Sequence, residues 1–197
     1  MSAPKLLPRR PLTHSLAALS SAVAICTALG LACGAKASTI SWDGTAADGL
    51  WNSPTNWSND LLPAAADDLI FGTGGATTVD LGGDRTANSL QFSLNGFTLG
   101  LAATSNALTL TSGSVIVNNS ITGTVNALVT ANDLTIGGGG TLVLSNSANA
   151  LSGITSINAG TLRITNATAL GAANTVNAGG TLEVAGVVLD RGITLNT

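Results

Sequence analysis

Hydrolysis of a sugar or abstraction of a proton needs paired carboxylates, or a carboxylate beside a basic residue. Between residues 85 and 197 the acids are only Asp133, Glu183 and Asp190. His14, Lys5 and Lys36 all precede residue 38. The serines beyond that point lack an imidazole or amine to activate them, and read as solvated turns. Asp43-Gly44, Asp48-Gly49, Asp67-Asp68 and Asp84 offer oxygen ligands, but not at the spacing of a calcium loop. Asp-Gly is a common turn pair. The glycine-rich stretches 72–75 and 137–140 have no Lys-Ser/Thr after them and read as corners rather than phosphate loops. No catalytic residue, cofactor or metal site is expected.

Trp42, Trp51 and Trp57 allow two readings. They could form a stacking platform for a sugar, or they could pack together as a cap. Residues 38–71 hold all three, with Pro54, Pro63 and five of the ten acids. The cap is the favoured reading, because any stacked β fold must cover its terminal strand edges.

The first 37 residues read as a cleavable export signal. Lys5, Arg9 and Arg10 precede an apolar run from Leu16 to Ala32, and Ala35-Lys36-Ala37 is a small-x-small cleavage site. Cleavage between Ala37 and Ser38 is expected, with delivery outside the cell. An uncleaved anchor and lipidation at Cys33 are the alternatives.

Four of the seven basic residues lie in that leader, and all ten acids follow it. Three arginines against ten carboxylates leave residues 38–197 at −7. Phosphate neutralisation needs clustered Lys and Arg, so no nucleic-acid partner is expected. Both cysteines, Cys26 and Cys33, are in the leader. The remainder depends on packing and hydrogen bonds rather than disulfides.

After Phe71 the chain becomes short apolar runs between Gly, Asn, Ser and Thr, such as Leu90-Gln91-Phe92, Val115-Ile116-Val117 and Leu134-Thr135-Ile136. This is strand alternation with turn punctuation. Thr141-Leu142-Val143-Leu144 recurs as Thr161-Leu162-Arg163-Ile164 and Thr181-Leu182-Glu183-Val184, at a spacing of 20. Other columns run at 19: Leu151, Leu170, Leu189; Ile157, Val176, Leu195; Asn158, Asn177, Asn196. An extra glycine at 179–180 would absorb the difference.

About 20 residues is too short for a helix pair but suits one coil of a β-solenoid. Leu142, Leu144, Leu162, Ile164, Leu182 and Val184 would then face inward, and Thr141, Val143, Arg163 and Glu183 outward. Arg163 and Glu183 would sit side by side on adjacent coils. The asparagine column would form an axial amide ladder.

These residues carry a resemblance. Asn158-Ala159-Gly160-Thr161-Leu162-Arg163-Ile164 and Asn177-Ala178-Gly179-Gly180-Thr181-Leu182-Glu183-Val184 resemble the autotransporter-associated β-strand repeat of large bacterial secreted passenger proteins. So does the opening: Trp42-Asp43-Gly44, Asn56-Trp57, Pro63 and Asp67-Asp68-Leu69-Ile70-Phe71. The resemblance covers residues 40–71 and 134–197. It implies an all-β, right-handed, single-stranded parallel β-helix with an N-terminal cap over 38–71 and repeats over 72–197. It implies a non-catalytic secreted or surface-displayed stalk, adhesin or scaffold at the outer-membrane surface. The expected partners are surface polysaccharide or other cell-surface molecules. The membrane would be met only through the export signal or a C-terminal segment. The alternative is a carbohydrate-binding or carbohydrate-acting β-helix module. The chain stops where another Ala-Gly-Gly-Thr-Leu would be due, so a truncated reading frame or a fragment of a longer protein is expected.

Overall fold

The structure is a computed structural model that describes residues 37–102, 105–172, 174–189 and 193–195. The proposed leader, 1–37, lies outside them except for Ala37. Among the described residues there is no α-helix, and regular structure is sixteen strands with one short 3-10 turn at Pro54–Asn56.

Strands β1 (Thr39–Trp42) and β2 (Asp68–Phe71) open the stack, followed by β3 (Thr78–Val79), β4 (Arg85–Phe92) and β5 (Phe97–Leu99). Then come β6 (Ala107–Val117), β7 (Thr122–Val125), β8 (Leu128–Ala131), β9 (Leu134–Gly137) and β10 (Thr141–Leu144). The last six are β11 (Ala150–Leu151), β12 (Ile154–Ile157), β13 (Thr161–Ile164), β14 (Asn174–Asn177), β15 (Thr181–Val184) and β16 (Ile193–Leu195). All strand pairs are parallel. They build a 10-stranded sheet running β1-β2-β4-β6-β9-β12-β14-β16, with β8 and β11 alongside, and a 6-stranded sheet running β3-β5-β7-β10-β13-β15. The result is a β-solenoid of about 5 turns with coils of roughly 21 residues.

Alternation sets what lies inside. Leu142, Leu144, Leu162 and Ile164 are at most 1% exposed, as their period-2 placement dictates. Thr141 pairs with Thr161 and Thr161 with Thr181, so the 20-residue spacing is one coil. The expected interior column fails at its last members. Leu182 is only partly buried, and Val184 is 36% exposed. The reason is position: β15 ends its sheet among the described residues, so no further rung covers it.

The 19-residue column of Ile157, Val176 and Leu195 is offset by one. Ile157 pairs with Asn177, and Asn177 with Leu195; Val176 lies beside Ser156. Gly180 does not absorb an insertion: the period is already 20 before it, with Ile154 paired to Asn174 and Ile157 to Asn177, and stays 20 after it, with Thr161 paired to Thr181. The asparagine ladder expected at 158, 177 and 196 therefore has no common column. Asn158 is exposed, and the side chains of Asn177 and Asn196 lie outside the described residues.

Coils turn their corners by local means. β6 serves two faces: its first half pairs with β8 and its second with β9. Between them Gly113 adopts φ +64°, and a Cβ there would lie 1.8 Å from the carbonyl oxygen of Asp133 on the next coil. Only glycine fits such an approach.

Candidate functional site

Every aromatic residue of the chain enters one cluster at the N-terminal end. Phe71 is its hub, with ring centroids 5.5–6.4 Å from Trp42, Trp51, Trp57, Phe92 and Phe97. Trp57 meets Trp42 and Trp51 edge-on at 5.1 and 4.9 Å, the arrangement that the ring quadrupoles favour. All six rings are at most 2% exposed. The indole N–H of Trp57 donates to Trp51 O at 2.9 Å and that of Trp42 to Ala76 O at 3.1 Å, so burial leaves neither donor unpaired. Gly123 makes room for this cluster: a Cβ there would meet the Phe92 ring at 2.5 Å.

This burial bears on the two readings of Trp42, Trp51 and Trp57, the favoured cap and the alternative platform. Their faces contact one another and Phe71, and none is presented for a sugar to stack on. The loop that carries Trp51 and Trp57 covers strand edges instead. Residues 56–58 run antiparallel beside β1: Asp43 N donates to Asn56 O and Ser58 N to Ser41 O, each at 2.9 Å. On the other sheet, Leu50 bridges Asp80 beside β3. Phe71, Phe92 and Phe97 were missed as members. Their concentration before residue 100 was the available signal.

The carboxylates hold turns and coils. Asp43 accepts from Thr45 N and Asp80 from Gly82 N, each two residues on. Asp84 accepts from Ala107 N at 2.8 Å and Asp133 from Ile154 N at 2.7 Å, linking neighbouring coils. Asp48 accepts from Ser53 Oγ, Leu50 N and Asn56 Nδ2. The Ser53 hydroxyl first, then the Leu50 amide, hold the Asp48 carboxyl below the usual aspartate range; desolvation opposes them, and Asn56 adds a smaller lowering effect. Asp67 accepts from Ser38 N at 3.0 Å and Ala64 N at 2.7 Å. Asp68 accepts from Asn88 and Ser89 on β4. Among the described residues no three of His, Cys, Asp and Glu gather where they could hold a metal ion.

Two further features were not read from the sequence. Asn149, only 5% exposed, accepts from Val129 N at 2.8 Å and donates to Ala169 O at 2.7 Å, so one amide joins three successive coils. Beside it a groove of about 750 Å³ runs along one corner, lined by Thr109, Thr111, Thr130, Asn132 and Ser152 over Leu110 and Leu151. It offers hydroxyls and amides above an apolar floor. It can hold a ligand by contact and hydrogen bonds, but its lining includes no titratable side chain to move a proton.

These features define a parallel β-solenoid with a sealed N-terminal end. Over 156 aligned residues the chain is 35% identical to the Adhesin BmaC autotransporter of Brucella suis biovar 1 (strain 1330), an alignment that takes in 75% of this chain. The chain spans 4% of that adhesin's length. No protein-family model matches the chain, and no solved structure matches it. The similarity and the solenoid together fit an autotransporter passenger-type β-helix.

Proposed function

We propose that the chain is an exported, surface-displayed segment of adhesin type, working as stalk or scaffold rather than as an enzyme. The similarity to an autotransporter adhesin across most of this chain carries the reading. The architecture supports it. In stacked parallel coils each unit contacts only its neighbours, so length is gained by adding rungs. The outward positions, such as Thr141, Val143, Arg163 and Glu183, are free to vary without touching the interior. The leader over residues 1–37 supplies export, with cleavage between Ala37 and Ser38, and places the solenoid at the cell exterior. The partners are surface polysaccharides or other cell-surface molecules.

The test is an antibody raised against the solenoid, applied to intact cells of the producing organism. Labelling of unpermeabilised cells, loss of the signal on protease shaving, and weaker adherence after gene deletion are expected. Labelling that requires permeabilisation would overturn the proposal.

A further inference from the structure

We infer that Asp67 is the receiving site for the amino terminus that leader removal creates at Ser38. This rests on the export reading above. Ala37 and Ser38 are both exposed, so the peptide bond between them is open to a protease. The nitrogen on the far side of that bond is already placed. Ser38 N donates to Asp67 Oδ1 at 3.0 Å, and Ser38 O accepts from Asp68 N at 2.8 Å. Asp67 is 7% exposed, and its other oxygen accepts from Ala64 N at 2.7 Å. Among the described residues this enclosed carboxylate accepts from two N–H donors, both of them neutral.

Cleavage changes the charge of one donor. Water adds to the Ala37 carbonyl carbon, the C–N bond breaks, and Ala37 leaves as a carboxylate. The Ser38 nitrogen departs as an amine and takes up a proton, since an α-amine has a pKa of about 7.7–8.0. An ammonium then stands where the amide stood, against the same carboxylate oxygen. Charge-assisted hydrogen bonds are roughly twice as strong as neutral ones, and a pair beside an enclosed carboxylate is screened little by salt. Ser38 leads directly into β1, the edge rung that residues 56–58 cover. Processing thus fastens the first rung and the tryptophan cap, and the cap is tightest only in the exported form.

The sequence supplies a chemical handle. Both lysines, Lys5 and Lys36, precede the cleavage point, so the Ser38 α-amine is the one primary amine of the processed chain. The full chain is secreted from a Gram-negative host, and the product is checked by N-terminal sequencing and intact mass. Acylation by an activated ester is then timed at pH 7 for folded protein, for urea-unfolded protein, and for folded Asp67→Asn. A product beginning at Ser38 is expected. Its folded amine should react about tenfold more slowly than in the unfolded chain, the factor that one pKa unit of ammonium stabilisation gives. Asp67→Asn should restore most of the rate. If that variant does not fold, the folded wild-type rate is followed against pH: an amine titration raised by about one unit over the unfolded chain supports the carboxylate contact, and a slow amine with an unraised titration overturns it. A product beginning at any other residue overturns the cleavage reading and the docking with it. A product beginning at Ser38 whose amine reacts equally fast folded and unfolded overturns the docking and leaves export standing. A slow amine that Asp67→Asn leaves slow would show shielding by something other than Asp67, which also overturns it.

Discussion

Leu162 and Leu182 lie in one column, one rung apart, in nearly identical strands. Leu162 is fully buried and Leu182 only partly. At the opposite end β1 is also a terminal strand, yet Ile40 is 5% exposed and Trp42 not at all. The difference is what lies beyond the strand. Beyond β1 stands the loop with Trp51 and Trp57; beside β15 no further strand is described. Burial in a parallel solenoid is therefore supplied by the neighbour, and an inward side chain alone does not secure it. The same apolar pattern is worth several kcal/mol in one rung and little in the next.

The sharpest way to break this comparison is one substitution made twice. Leu162→Asp places an unpaired charge in a closed apolar interior and should cost about 4 kcal/mol or more. Leu182→Asp keeps its carboxylate in reach of water and should cost about 1 kcal/mol. Urea unfolding of both variants measures the gap. Equal losses would show that the last rung is as enclosed as the middle ones.

The sealed end has its own test. Trp57 touches Trp42, Trp51 and Phe71, and its N–H is bonded within the loop. Trp57→Ala should lower stability by about 3–5 kcal/mol, the usual range for deleting a large aromatic from a core. Tryptophan fluorescence should shift to the red as Trp42 and Trp51 meet water. An unchanged spectrum and midpoint would mean that the three rings do not seal the end together.

How much of this was legible follows from the same geometry. Where the period equals the coil, position in the sequence gives position in space: the 20-residue spacing of 141, 161 and 181 delivered register, interior columns and outward charges. The offset at 157, 176 and 195 was not legible, because Ala-Gly and Gly-Gly align almost equally well in letters. The pairing of Ile157 with Asn177, and of Asn177 with Leu195, decides it. The compositional break after Phe71 misleads in another way. β2 ends there, yet pairs in register with β4 in the same sheet. The hub role of Phe71 joins rings from several coils and both sheets, which no linear pattern displays. Nothing in the sequence separates Asn149 from the turn asparagines; its two bonds across three coils do.

Interior polarity sharpens the comparison at smaller scale. Thr155 and Thr175 pair across adjacent rungs, are at most 1% exposed, and have hydroxyls with no hydrogen-bond partner among the described residues. A buried unsatisfied hydroxyl is costly, and an apolar replacement of the same shape removes that cost. Thr155→Val should raise stability by about 1 kcal/mol, and Thr175→Val, one rung nearer the last described strands, by less. A loss in both would show that these hydroxyls are satisfied in solution.

The smallest effect belongs to the outer face, where neighbouring rungs meet in water. Arg163 and Glu183 pair in register on β13 and β15, with Arg163 Nε 3.3 Å from Glu183 Oε1 and their side chains 46% and 48% exposed. Opposite charges directly across a strand pair are favourable. At this exposure solvent and the entropy of two long side chains leave about 0–1 kcal/mol. A double-mutant cycle of Arg163→Ala and Glu183→Ala should give a coupling of about 0.5 kcal/mol that fades in high salt, as the Debye length shrinks to about 3 Å at 1 M. Arg163→Glu should cost slightly more than Arg163→Ala, because like charges then stand one strand spacing apart, about 4.8 Å. The pair bridges the well-buried rung and the exposed one, so the cycle also reports whether β15 keeps its place. A coupling of zero at low salt, with both single variants fully folded, would mean that the last rung frays away from β13, and that the contrast between Leu162 and Leu182 is one of order as well as burial.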